Sequence, residues 1–175
     1  MRIREATYSD LDAIVALYDA ARAYFQSEGI PQWQVGGPDM DSAFADVEDG
    51  ICYVVVGANG ELEGTFVLDF SGEPAYDRIF DGGWSTDGEY AALHRVAVAP
   101  SCKGRGVGGE MVAFAEARCR ESGVETLRGD THEQNRPMRR LLEKSGFSVC
   151  GRIVYPVAGP RLAYEKILSD ASVLE

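Results

Sequence analysis

Long apolar runs are missing from this sequence: no stretch approaches the roughly 18 consecutive apolar residues of a membrane-spanning helix. Met1-Arg2-Ile3-Arg4-Glu5 also lacks the apolar core of a secretory signal, and together these absences predict a cytoplasmic protein with no membrane partner. Cysteine is sparse and scattered. The four, Cys52, Cys102, Cys119 and Cys150, form no Cys-x-x-Cys pair, which excludes a zinc-ribbon pattern and a thioredoxin-like motif and predicts reduced thiols and no bound metal. Basic residues are outnumbered, 17 Lys plus Arg against 28 Asp plus Glu, for a net charge of -11 at pH 7. That balance repels phosphate backbones, which argues against nucleic acid, and it attracts a cationic small molecule or basic peptide. Histidine occurs only twice, at His94 and His132, so an imidazole base has just two candidates.

What is present reads as one globular domain. Of 175 residues 45% are hydrophobic and 26% charged, enough to bury a core without disulfides or a structural metal. The domain is placed at residues 1–168, with 169–175 a frayed tail; nothing in the composition separates a monomer from a homodimer. Ser9 is the expected N-cap of a first helix, whose Leu11, Ile14, Val15, Tyr18, Ala21 and Phe25 share a face and which Gly29 can end. A loop with an exposed-prone Trp33 leads to a short helix from Pro38 carrying Met40, Phe44 and Val47 on one side. Strands at 51–56 and 62–70 flank Ala58-Asn59-Gly60, a hairpin signal. Residues 71–88 are rich in Gly, Asp and Pro yet hold Tyr76, Phe80 and Trp84, as a surface loop with packing of its own would.

The informative region follows. Residues 89–98 read as a buried strand, Pro100 ends it, a glycine-rich turn opens a helix that runs to Ser122, and 124–131 is another strand. Strand, crossover helix and strand predict a parallel pair with a right-handed connection. A helix from Asn135 to Ser145 and strands at 147–155 and 161–168 complete the chain. In the turn, Lys103-Gly104-Arg105-Gly106-Val107-Gly108-Gly109 places glycines where backbone N–H groups can close on a phosphate at a helix N-terminus. A P-loop is excluded, because Glu110 and Met111 stand where Lys and Ser or Thr would be needed. A dinucleotide fingerprint is formally present in Gly104, Gly106 and Gly109 with Asp130 as the ribose acid, although Pro100 to Lys103 intervene and too little chain remains for two mononucleotide halves.

A third reading rests on a resemblance. Residues 4–10, Leu93-His94-Arg95-Val96-Ala97-Val98-Ala99-Pro100, the turn from Lys103 to Gly108, and Asn135 followed by Leu141-Leu142-Glu143-Lys144-Ser145-Gly146-Phe147 resemble the GNAT superfamily of acyl-CoA-dependent N-acetyltransferases. The resemblance spans nearly the whole chain. It implies an α/β fold: a mixed, mostly antiparallel central sheet splayed at a parallel strand pair, with helices on both faces. It also implies acetyl-CoA as cosubstrate, its pantetheine arm along Val96, Ala97 and Val98 and its pyrophosphate on Lys103, Gly104, Arg105, Gly106, Val107, Gly108 and Gly109, with Asn135 holding pantetheine. Where the family often carries a tyrosine that protonates the departing thiolate, this chain has Leu142.

The expected reaction is acetyl transfer to a primary amine of a small molecule or peptide, possibly cationic given the acidic balance. Holding an amine of pKa about 10.4 neutral at pH 7 costs roughly 4.6 kcal/mol, so a base is needed. His94, Glu89 and His132 are the candidates, and Asp130 is a further acid beside the last of them; Trp33, Tyr90 and Arg95 are the candidate acceptor contacts. A non-catalytic acyl-CoA-binding module is the alternative that the missing tyrosine suggests.

Overall fold

In the computed structural model, which describes residues 1–168, seven strands form one sheet. In chain order the elements are β1 (Arg2–Glu5), α1 (Leu11–Ser27), α2 (Met40–Glu48), β2 (Cys52–Val56), β3 (Leu62–Asp69), β4 (Ala91–Val98), α3 (Val107–Glu121), β5 (Thr126–Thr131), α4 (Arg136–Lys144), β6 (Ser148–Tyr155) and β7 (Gly159–Ile167). The strands lie in the order β1-β2-β3-β4-β5-β7-β6, antiparallel throughout except for the parallel pair β4–β5. This is the mixed, mostly antiparallel sheet that was expected, and a single parallel pair is not the doubly wound sheet a dinucleotide fold requires. The expected tail at 169–175 lies outside the described residues. No helix among the described residues is long and apolar enough to cross a membrane.

Helix α1 buries Ile14, Leu17, Tyr18 and Phe25, the face its periodicity marks. Its entry differs from expectation. Ser9 is not the cap; Thr7 and Asp10 form a capping box around a single 3-10 turn. Asp10 is pulled there because Arg4 of β1 grips its two carboxylate oxygens at 2.8 and 2.9 Å, which holds the carboxyl down at about 2. Strand β1 itself carries no hydrophobic signal; its one apolar residue is Ile3, and it forms because the β2 backbone pairs with it from Arg2↔Val56 to Glu5↔Tyr53.

Helix α2 is turned away from its expected face. Met40 and Phe44 are 40% and 46% exposed, Val47 is half-buried, and Ala43 and Asp46 point inward. Two contacts account for the rotation: Asp46 reaches Arg95 at 3.3 Å, and Phe44 stacks on the exposed Tyr8 at 5.3 Å. Helices α3 and α4 cover the opposite face, where Met111, Val112, Ala115 and Leu142 meet Phe66, Leu93, Leu127 and Tyr164.

The segment 71–88 is packed rather than free. Tyr76 is buried against Ala92, Ile153 and Ala163, and Phe80 makes a backbone bridge with Arg152. Its far end is clamped by a buried ion pair, Arg128 to Glu165 at 2.8 Å. Arg128 also donates to the Thr86 carbonyl at 2.6 Å and lies between the rings of Trp84 and Tyr90, each 4.2 Å away, while Glu165 accepts from the Ser85 amide at 2.8 Å.

Candidate active site

Strands β4 and β5 pair only from Ala91↔Leu127 to Leu93↔Gly129; beyond that point they part. Just there β4 carries an extra residue against β3, because Val67 faces His94 while Thr65 faces Ala97, and Arg95 takes up the bulge at φ 51°. From His94 onward the β5-side edge of β4 therefore has no strand partner. A cleft of about 720 Å³ opens in the gap. Val96, Ala97, Val98, Lys103 and Asn135 line one part of it, and Trp33, Asp46, Glu73, His94, Arg95 and Asp130 another.

The glycine turn borders the first part. Gly104 and Gly106 sit at φ 75° and 84°, a conformation glycine adopts freely, and a Cβ on either would enter open space. No side chain caps α3, so its first amides, which have no intrahelical acceptor, face outward as an anion site. Gly108 serves another purpose: a Cβ there would lie 2.9 Å from Leu141, so its absence lets α3 approach α4. The turn's two cations are placed differently. Lys103 lies over the Tyr24 ring at 4.0 Å on the cleft rim, whereas Arg105 points into solvent toward Glu63 at 3.7 Å and does not line the cleft. Asn135 is buried; its carbonyl caps α4 through the Met138 amide at 3.3 Å and its amide donates to Gln32 at 3.0 Å. Gln32 also accepts from the Thr131 hydroxyl and the His132 amide, both at 3.2 Å, and so ties the Trp33 loop across to the end of β5. Nothing in the residues around Gln32 signalled this bridge. Trp33 is half-buried rather than exposed, edge-on to Tyr18 at 5.7 Å and Phe25 at 5.5 Å.

Titratable groups gather in the second part. His94 Nε2 is 3.6 Å from Glu73 Oε2, and the ring sits 6.0 Å from that of Tyr76. Burial lowers the imidazole pKa, against the opposing pull of Asp130 and Glu73, so the ring is neutral near pH 7. Asp130 Oδ2 accepts from Tyr76 at 2.7 Å and Tyr155 at 2.8 Å, and burial with the Asp130 charge pushes both hydroxyls upward. Asp46 is pushed up to about 6 by burial, in spite of Arg95 beside it.

Besides Arg105, three of the expected residues lie outside the cleft. Glu89 is exposed at the opposite end of β4, ahead of the paired stretch. His132 is half-buried, its Nδ1 accepting from the Gln134 amide at 3.2 Å in the turn before α4. Tyr90 flanks Arg128, and its hydroxyl accepts from the Glu73 amide at 2.9 Å, so it positions Glu73 rather than lining the cavity. Leu142 is in the core under β5. Glu73 went unnoticed in the sequence because it comes from the 71–88 segment, far from the β4 motif, and only the packing of Tyr76 brings it near His94.

Known proteins are similar to this chain in sequence and fold. A Bacillus subtilis protein provisionally named a phosphinothricin acetyltransferase is 25% identical over 152 residues, covering 86% of each chain. Streptothricin acetyltransferase of Streptomyces lavendulae is 27% identical over 117 residues, which are 66% of this chain and 54% of that one. The crystal structure of a GNAT-family acetyltransferase from Streptococcus agalactiae superposes with a TM-score of 0.84 at 31% identity, covering 97% of this chain and 96% of that one. A provisionally named acetyltransferase of Salmonella typhimurium, solved with its cofactor acetyl-CoA, shares the fold at a TM-score of 0.68 and 20% identity over 99% of this chain and 97% of its own. The model of the acetyltransferase (GNAT) family matches residues 14–147, and on that match across most of the sheet and its helices the chain belongs to the GNAT family of acetyltransferases.

Proposed function

We propose that the cleft lays acetyl-CoA along the unpaired edge of β4 and brings the amine of a small acceptor to it from the His94 side. The observation that carries this reading is the parting of β4 from β5 directly ahead of an uncapped, glycine-lined helix start. Backbone groups of Val96 and Val98 would otherwise remain unpaired, and the amides of pantetheine can satisfy them as an added strand does. The amides between Gly104 and Gly109 suit the pyrophosphate, and Lys103 on the rim adds charge. The acetyl-CoA of this family supplies an activated thioester carbonyl.

The chain's residues do the rest. Asp46, Asp69, Glu73 and Asp130 line the cleft and draw in a positively charged amine. Neutral His94 accepts the proton the amine must lose, and Glu73 at 3.6 Å steadies the imidazolium that results. The amine nitrogen then forms its bond to the acetyl carbon as the carbon–sulfur bond breaks, and it sheds its second proton to water. A backbone N–H near Val96 faces the carbonyl oxygen as charge develops on it. The leaving thiolate takes its proton from water, since Leu142 offers none. A buried, neutral histidine beside the unpaired edge favours turnover over a non-catalytic acyl-CoA-binding role. Release of free thiol from acetyl-CoA over a panel of amines tests the reading, and binding of acetyl-CoA without thiol release from any amine would overturn it.

Two substitutions probe the parts. Gly109 opens onto the cleft with nothing within 4 Å of a Cβ and no left-handed φ, so Gly109→Val adds bulk without backbone strain. Acetyl-CoA affinity measured by calorimetry is expected to fall about tenfold or more, with the melting temperature little changed. Tyr155 donates its hydroxyl to Asp130, and its pKa is raised, so it does not ionise at moderately alkaline pH. With saturating amine, kcat is expected to stay level from about pH 8 to about 10.5, and Tyr155→Phe should change it less than about tenfold. A steep fall above about pH 9 that Tyr155→Phe abolishes would make this tyrosine the acid.

A further inference from the structure

Among the described residues two guanidinium groups are buried, and they are treated differently. Arg128 is neutralised by Glu165 at 2.8 Å. Arg161, at the start of β7, is 4% exposed and lines the cleft, yet it forms no ion pair among the described residues. Its Nη1 is held by two backbone carbonyls, Ala158 at 2.8 Å and Pro160 at 2.9 Å. Those bonds fix the plane of the guanidinium. Nε and Nη2 donate to no protein group among the described residues, which leaves the side of the fork suited to bidentate recognition free.

Asp130 does not fill that place. Its Oδ2 already takes the Tyr76 and Tyr155 hydroxyls, and it lies beyond ion-pair distance of Arg161. His94, Asp130 and Arg161 nevertheless line the same cleft, so one cavity holds the proposed base and the free cation. Burial disfavours the charge on Arg161, as it does for any cation taken from water without a partner. A buried cation that is aimed into a cavity and held rigid by its own backbone is a binding site for an anion.

Building on the N-acetyltransferase reading, we propose that the acceptor is a small zwitterion of the amino-acid type, its carboxylate held by the Nε–Nη2 side of Arg161 while its amine meets His94. The acidic balance of the whole chain and the carboxylates of the cleft favour a cation, while Arg161 offers a place for an anion on the same molecule. An amine attached to a lysine side chain within a protein lacks that neighbouring carboxylate and is a poor substrate on this view.

The test measures kcat/KM for thiol release with each standard L-amino acid, its carboxamide and the decarboxylated amine, on the unsubstituted protein and on Arg161→Gln and Arg161→Lys. At least one amino acid is expected to exceed both its carboxamide and its amine by about a hundredfold. Arg161→Gln should bring that ratio close to one through KM, and Arg161→Lys should restore part of it. A ratio near one in the unsubstituted protein overturns the proposal, as does an Arg161→Gln variant that loses all three acceptors equally. If Arg161→Gln fails to fold, the ratio in the unsubstituted protein decides alone. Failure of every amine while calorimetry still shows acetyl-CoA binding overturns the N-acetyltransferase reading and this proposal with it; good turnover confined to amines without a carboxylate overturns the proposal only.

Discussion

His94→Ala is expected to lower kcat for a good amine acceptor by about 10²-fold or more while leaving the affinity for acetyl-CoA at its parent value. The expectation follows from placement. His94 stands where β4 leaves β5, next to the bulge at Arg95, with Glu73 at 3.6 Å as its ion-pair partner once protonated. Because burial lowers its pKa below the ordinary imidazole value of about 6.5, the neutral, proton-accepting form dominates at pH 7. Activity should accordingly fall as pH drops through that lowered pKa, and the acid limb should vanish in the variant. Steady-state kinetics from about pH 5 to about 9 with calorimetry alongside reads both effects. Turnover that survives the substitution with its acid limb in place would show His94 to be structural and would move the base to Asp130 acting through water.

The largest loss of stability is expected from Arg128→Ala, about 3–5 kcal/mol, because it leaves Glu165 charged and buried without its partner. The consequence reaches the active site. Arg128 and Glu165 hold Thr86 and Ser85, and the rings of Trp84 and Tyr90 enclose the guanidinium, so the pair fastens the segment that delivers Glu73 and Tyr76 to His94 and Asp130. Urea denaturation should show the fall in stability, and kcat measured well below the midpoint should fall as well. Replacing both partners, Arg128→Met with Glu165→Leu, should recover much of the stability, since two apolar groups remove the unpaired charge. Recovery of stability without recovery of kcat would separate the fastening of the segment from the integrity of the fold.

Local patterns in the sequence were enough to determine the βαβ unit, the Asn-Gly hairpin, the apolar face of α1 and the glycine turn, because each is written in neighbouring residues: alternation, helical period, or a φ only glycine takes readily. The splay was legible only through the family resemblance, since the point at which two parallel strands cease to pair depends on register, not on either strand alone. Tertiary structure decided the remainder. Strand β1 forms on a partner's backbone, α2 turns to offer Asp46 to Arg95, and Gln32 joins Asn135 across 103 positions of chain. Glu89 and His132, polar residues at strand ends, stood as rivals to His94 inside its buried strand, yet one faces solvent and the other caps a turn. Glu73, Asp130 and Arg161 line one cleft with His94 because the fold brings the segment 71–88, β5 and β7 to it, and charges brought together over such separations leave no trace in the local sequence.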